Sequence, residues 1–73
     1  MKLSRGMYHW DDPRSDVGIE VIKVSYEGKD YSKVKAKLFN KRNGIVYDST
    51  LKNYKLYHKN ISHWKRYNDN LDN

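Results

Sequence analysis

The chain has 73 residues, a net charge of +6, 37% hydrophobic and 33% charged residues, and no cysteine. That length makes one small basic domain, which buries only about 60% of the surface its unfolded chain exposes, and without thiols neither a disulfide nor a cysteine-ligated zinc site can form. No run approaches the ~18 apolar residues of a membrane span, and MKLSRGMYHWDD lacks the apolar stretch of a signal peptide, so a cytoplasmic protein that does not enter membranes is expected. Seven Tyr, two Trp and one Phe allow a core built from few, large side chains, which favours a folded domain over disorder.

In chain order, MYHW at 7–10 reads as a short first strand, and DDPRSD at 11–16 as a loop. VGIEVIKVSY follows, with Val17, Ile19 and Val21 in one phase and Ile22, Val24 and Tyr26 in the other. Such a phase change predicts a bulge, or a strand buried on both faces. Glu27-Gly28-Lys29-Asp30 reads as a tight turn in which Gly28 can take a positive φ. YSKVKAKLF at 31–39 is the clearest strand, with Val34, Ala36 and Leu38 on one face and Lys33, Lys35 and Lys37 on the other, between Tyr31 and Phe39. Asn40–Gly44 makes a second hairpin loop, and IVY at 45–47 pairs back.

Asp48, Ser49 and Thr50 are helix N-cap residues, and beyond them Tyr54, Tyr57, Ile61 and Trp64 recur at helical spacing, flanked by Leu51 and Tyr67. Residues 51–67 therefore predict an amphipathic helix, and Lys52, Lys55, Lys59 and Arg66 form its basic outer face. The fold expected is α+β: a three- to four-stranded antiparallel meander packed against one C-terminal helix, with 68–73 as a flexible tail. The alternative is a small SH3-like β-barrel, in which the same stretch holds a strand near 54–58 and a 3₁₀ turn near 61–66. The weak helix propensity of Tyr, Asn, His and Ile argues for it. The expected core is Val21 or Ile22, Val24, Val34, Ala36, Leu38, Val46, Tyr54, Ile61 and Trp64.

Charge is unevenly spread. Residues 31–67 hold ten bases and a single acid, Asp48, whereas residues 1–30 hold five bases and six acids. A solubilising surface mixes both signs, so a one-sign half points to an anionic partner. Chemistry is hard to assemble from the rest. His9 stands beside Asp11 and Asp12, which suits an acid–base pair or Mg²⁺ ligands, but acids next to a loop proline are more often a solvated turn. His58 and His63 lack the i, i+4 spacing of a zinc helix, and no phosphate-loop or nucleophile-elbow motif is present. No enzyme, cofactor or metal is expected.

Two basic surfaces remain. The lysine face of the central strand with its loop (Tyr31, Lys33, Lys35, Lys37, Lys41 and Arg42) is the first choice for contacting phosphates of DNA or RNA, and the helix face is the second. Each stripe alone is equally what keeps a strand or helix soluble. The function expected is a small nucleic-acid-binding regulator or accessory factor. The alternative is a compact protein-binding module, an inhibitor or adaptor of phage or cellular origin, docking on an acidic partner surface with its tyrosines as anchors.

Overall fold

Strands form wherever apolar and polar residues alternate, and they occupy most of the chain. In the computed structural model, which describes residues 2–64, they are β1 (Gly6–Trp10), β2 (Val17–Glu27), β3 (Tyr31–Asn40), β4 (Val46–Tyr57) and β5 (Ile61–His63), with a 3₁₀ turn at His58–Asn60 before the last. All pairs are antiparallel, and the sheet runs in the order β4-β3-β2-β1-β5.

The expected C-terminal helix is not there. Residues 51–57 continue β4, and the chain then makes one 3₁₀ turn and the short β5; the part of the expected helix beyond Trp64 lies outside the described residues, as does the 68–73 tail. Two physical reasons overturn the helical reading. Within NYKLY, Tyr54 and Leu56 face inward between Asn53, Lys55 and Tyr57, a period of two. Leu56 is thereby fully buried opposite Ser32, a burial that contributes about 1.5–3 kcal/mol and outweighs weak helix propensities. The supposed N-cap residues serve another purpose: an Asp48 carboxylate oxygen accepts the Thr50 N–H at 2.9 Å, forming an Asx turn inside β4. A strand followed by a 3₁₀ turn is what the barrel alternative expects, although the turn comes three residues earlier and the hydrogen-bonded sheet stays open between β4 and β5.

With no helix to cover it, the sheet covers itself. Leu3, Tyr8 and Ile61 from the β1–β5 side meet Val34, Ala36 and Leu56 from the β3–β4 side, with Ile19 and Val21 of β2 between them. The required curvature comes from bulges. One lies between Val21 and Lys23, so Ile22 is the extra residue behind the phase change in the sequence, and a second lies between Val24 and Tyr26. Tyr8 is anchored at its polar end, its hydroxyl donating to the Ser4 carbonyl at 3.0 Å. The expected core holds at Val21, Val34, Ala36 and Ile61; Ile22, Val24, Leu38, Tyr54 and Trp64 are half-buried, and Val46 is exposed. Leu3, Tyr8, Ile19, Phe39 and Leu56 complete what the sequence reading left out.

Phe39 is buried on the other side of the sheet. The outer end of its ring lies against Gly18, its cross-strand partner, where any Cβ would collide with it, and Trp64 meets the ring edge-on at 4.9 Å. Gly44 takes the positive φ of 77° expected of its loop, whereas Gly28 does not. Gly28 is needed for space, since a Cβ there would lie 2.8 Å from both the Tyr26 ring and the Tyr31 carbonyl.

Candidate nucleic-acid interface

The strand alternation of β3 turns Lys33, Lys35 and Lys37 to the outer face of the sheet, and the neighbouring strands add to them. Register places Lys23 of β2 opposite Lys35, and Lys55 of β4 opposite Lys33. Lys55 was assigned by sequence to a separate helical face; it belongs to this one. Among the described residues, none of these five lysines is in an ion pair. The one acid facing them in register is Glu20, opposite Lys37. Like charges directly opposite each other destabilise a sheet by up to about 1 kcal/mol per pair, and here two such pairs sit side by side.

Aromatic rings close one end of this surface. Tyr31 lies between Tyr26 of β2, at 5.5 Å between centroids, and Tyr57 of β4, at 5.8 Å. The Lys55 ammonium sits 4.3 Å above the Tyr31 ring and 5.2 Å from that of Tyr57, a cation–π arrangement. The neighbouring Tyr57 side chain holds the Lys55 pKa above its ordinary value. Tyr26 and Tyr57 remain 49% and 42% exposed. Sequence reasoning missed both. Tyr26 reaches this face only because of the second bulge in β2, for which no residue signals in advance.

The other residues proposed from the sequence are not gathered here. Lys41 reaches across to the β1–β2 loop, donating to the carbonyls of Trp10 at 3.4 Å and Asp12 at 3.3 Å. Arg42 pairs with Asp16 of the same loop. Both therefore tie two loops together. Lys52 points to the opposite side of β4 from Lys55 and pairs with Asp48 at 3.4 Å; Lys59 lies in the 3₁₀ turn. The set Lys52, Lys55 and Lys59 is thus not one face, and Arg66 lies outside the described residues.

Three other places hold groups with chemistry. Ser32, His58 and Glu27 form a cluster: the Ser32 hydroxyl donates to a Glu27 carboxylate oxygen and lies 2.8 Å from His58 Nε2, while His58 Nδ1 faces the Lys29 carbonyl at 3.3 Å. A nucleophilic serine needs access to substrate and an acid on the far nitrogen of its histidine. Ser32 is 0% exposed, and Glu27 stands on the same nitrogen as the serine, 3.7 Å away. The arrangement is suited to locking the 3₁₀ turn against the β2–β3 turn, together with the His58 N–H bond to the Asp30 carbonyl at 2.9 Å. Around His9, Asp11 stands 3.8 Å from Nδ1, which itself lies 3.0 Å from the Trp10 carbonyl, and both acids have further partners. Arg14 donates to Asp12 through backbone and guanidinium, lowering the Asp12 pKa, and Ser62 donates to Asp11. No cluster of three or more His, Cys, Asp or Glu able to hold a metal occurs among the described residues. Finally, a mostly apolar cavity of about 350 Å³ opens between the β1–β2 loop and the β3–β4 ribbon, lined by Trp10, Val17, Leu38 and Tyr54.

No described helix is long and apolar enough to cross a membrane. Compared with protein families, curated proteins and solved structures, the chain matches none, so the reading of this surface rests on its own residues.

Proposed function

We propose that the protein is a small nucleic-acid-binding regulator or accessory factor that holds phosphates on the outer face of β2, β3 and β4. The observation that carries this reading is the facing of like charges, Lys23 with Lys35 and Lys33 with Lys55. A strand kept soluble by lysine needs no second lysine opposite it, and an anion that bridges both relieves the repulsion between them. Alternate residues along β3 lie about 6.5–7 Å apart, so the row can follow a phosphate backbone. A cysteine-free chain with this partner suits the cytoplasm.

The test replaces Lys33, Lys35 and Lys55 together with Gln and compares them with Arg14, Lys52 and Lys59 replaced likewise. Both triples remove three charges, so only local contact differs. The first should weaken binding and reduce the slope of log K against log salt by about 2–3 units, while the melting temperature of the free protein holds or rises as repulsion is removed. Equal losses from both triples, or no retention of DNA or RNA at about 50 mM salt, would defeat the proposal.

A second reading, a protein-binding module, is favoured by a different observation. Ile45, Val46, Tyr47 and Leu51 are all exposed in one short stretch where β4 leaves its regular register. Neighbouring exposed apolar side chains of this kind suit a protein partner.

A further inference from the structure

The surface has two parts of different chemistry, and together they select a form of nucleic acid. Lysines run along β3, and at the β2–β3 turn end they meet a row of three tyrosines contributed by three adjacent strands. Tyr31, in the middle, has one ring face occupied by the Lys55 ammonium. It acts as a buttress. The outer rings, Tyr26 and Tyr57, carry the exposed aromatic surface, with the same ammonium farther from Tyr57, at 5.2 Å.

In a duplex the flat faces of the bases are stacked on one another, and only edges and phosphates are offered to a protein. Rings beside a lysine row would gain nothing from it. A single strand presents phosphates and unstacked base faces together, and base–tyrosine stacking tolerates any sequence. From this juxtaposition, and resting on the nucleic-acid reading above, we infer that the ligand is single-stranded DNA or RNA, its phosphates on Lys33, Lys35 and Lys55 and its bases stacked on Tyr26 and Tyr57. The interval from Tyr31 to Lys37 spans about 20 Å of strand, so the site accommodates roughly four nucleotides, the lower end of the range for single-strand-binding sheets.

Like the lysine pairs, Tyr26 and Tyr57 are ill-suited to a merely structural role. All three tyrosines lie on the face away from the core, and none is buried. Replacing Tyr26 and Tyr57 should therefore leave the fold intact, which keeps the test clean.

Fluorescein-labelled 12-mers of deoxythymidine and of uridine, and a 12-base-pair DNA duplex, are titrated at one salt concentration and followed by anisotropy. The single strands should bind about 10-fold or more tightly than the duplex, and the relative affinity of the two homopolymers tells DNA from RNA. Tyr26→Leu with Tyr57→Leu should weaken single-strand binding by about 10- to 100-fold and leave duplex binding within about twofold, whereas the double Phe variant keeps its affinity. A duplex bound as tightly as the single strands, with the same lysine dependence, overturns this inference and leaves the broader reading standing. Loss of binding by neither tyrosine variant also overturns it, and no binding to any of the three probes removes both.

Discussion

The β3–β4 ribbon differs between its two ends. From Tyr31↔Tyr57 to Ala36↔Lys52 the register is unbroken, and the side chains divide by face: Ser32, Val34, Ala36, Tyr54 and Leu56 inward, and Tyr31, Lys33, Lys35, Lys55 and Tyr57 outward. Beyond Ala36 the register shifts twice before Phe39↔Val46, and every β4 residue from Val46 to Leu51 is exposed. Regular pairing gives a strand two distinct faces; once pairing slips, neither face is kept in the core. The charged surface thus stands on the regularly paired end and the exposed apolar residues on the irregular one. The two functional readings fall at opposite ends of one ribbon, where they can be separated by mutation.

The irregular end is anchored from behind by Phe39 on Gly18, and this predicts the largest effect. Phe39→Ala should cost about 3–5 kcal/mol in urea denaturation, a large share of the stability of a domain this small. Gly18→Val should approach the same loss, because its Cβ cannot coexist with the ring. A loss below about 1 kcal/mol in both would mean that the ring is not what holds this end.

Ile45→Ser combined with Leu51→Ser should change stability by no more than about 0.5 kcal/mol, both side chains being solvated already. Single-strand affinity should be unchanged as well. A protein partner captured by the wild type and lost with this variant, with nucleic-acid binding intact, would favour the second reading.

The smallest effect concerns Asp48, which closes the irregular stretch. The Thr50 backbone N–H, helped by the Thr50 and Lys52 side chains, holds its pKa below the ordinary value. A carboxyl depressed in the folded state contributes stability that is present above its unfolded pKa and is lost as pH falls through the folded one. The group is fully exposed, so the effect is local: below about pH 4 the Thr50 amide resonance should shift while those of Val34 and Lys55 stay in place. Movement of all three together would show that the two ends are coupled.

Much of the sheet was legible because its signals are local. The alternation of 31–39 and the phase change at Ile22 were readable, and so was the Asn-Gly loop, each within a few residues. The stretch 51–67 was not. Its aromatic residues fit a helical period as well as a strand, and what decides between them is the burial of Leu56 against Ser32, a contact between distant residues. The same holds for the site. Lys33, Lys35 and Lys37 were found from alternation alone, but Lys23, Lys55, Tyr26 and Tyr57 join them only through register. Lys41 and Arg42 were misplaced because their partners, Asp16 and the carbonyls of Trp10 and Asp12, lie far back in the chain.

The pairing of β1 with β5 joins Tyr8 to His63 and Trp10 to Ile61, nearly the two limits of the described chain. The β2–β3 and β3–β4 hairpins close over short turns, whereas this pair must gather almost everything between. During synthesis, therefore, β1 has its β2 neighbour long before its other edge can be filled. Until residues 61–63 have been made, Ile61 is missing from the core and the far edge of β1 stands open, so closure of the sheet waits for them, and non-local closure of this kind is the slow part of folding.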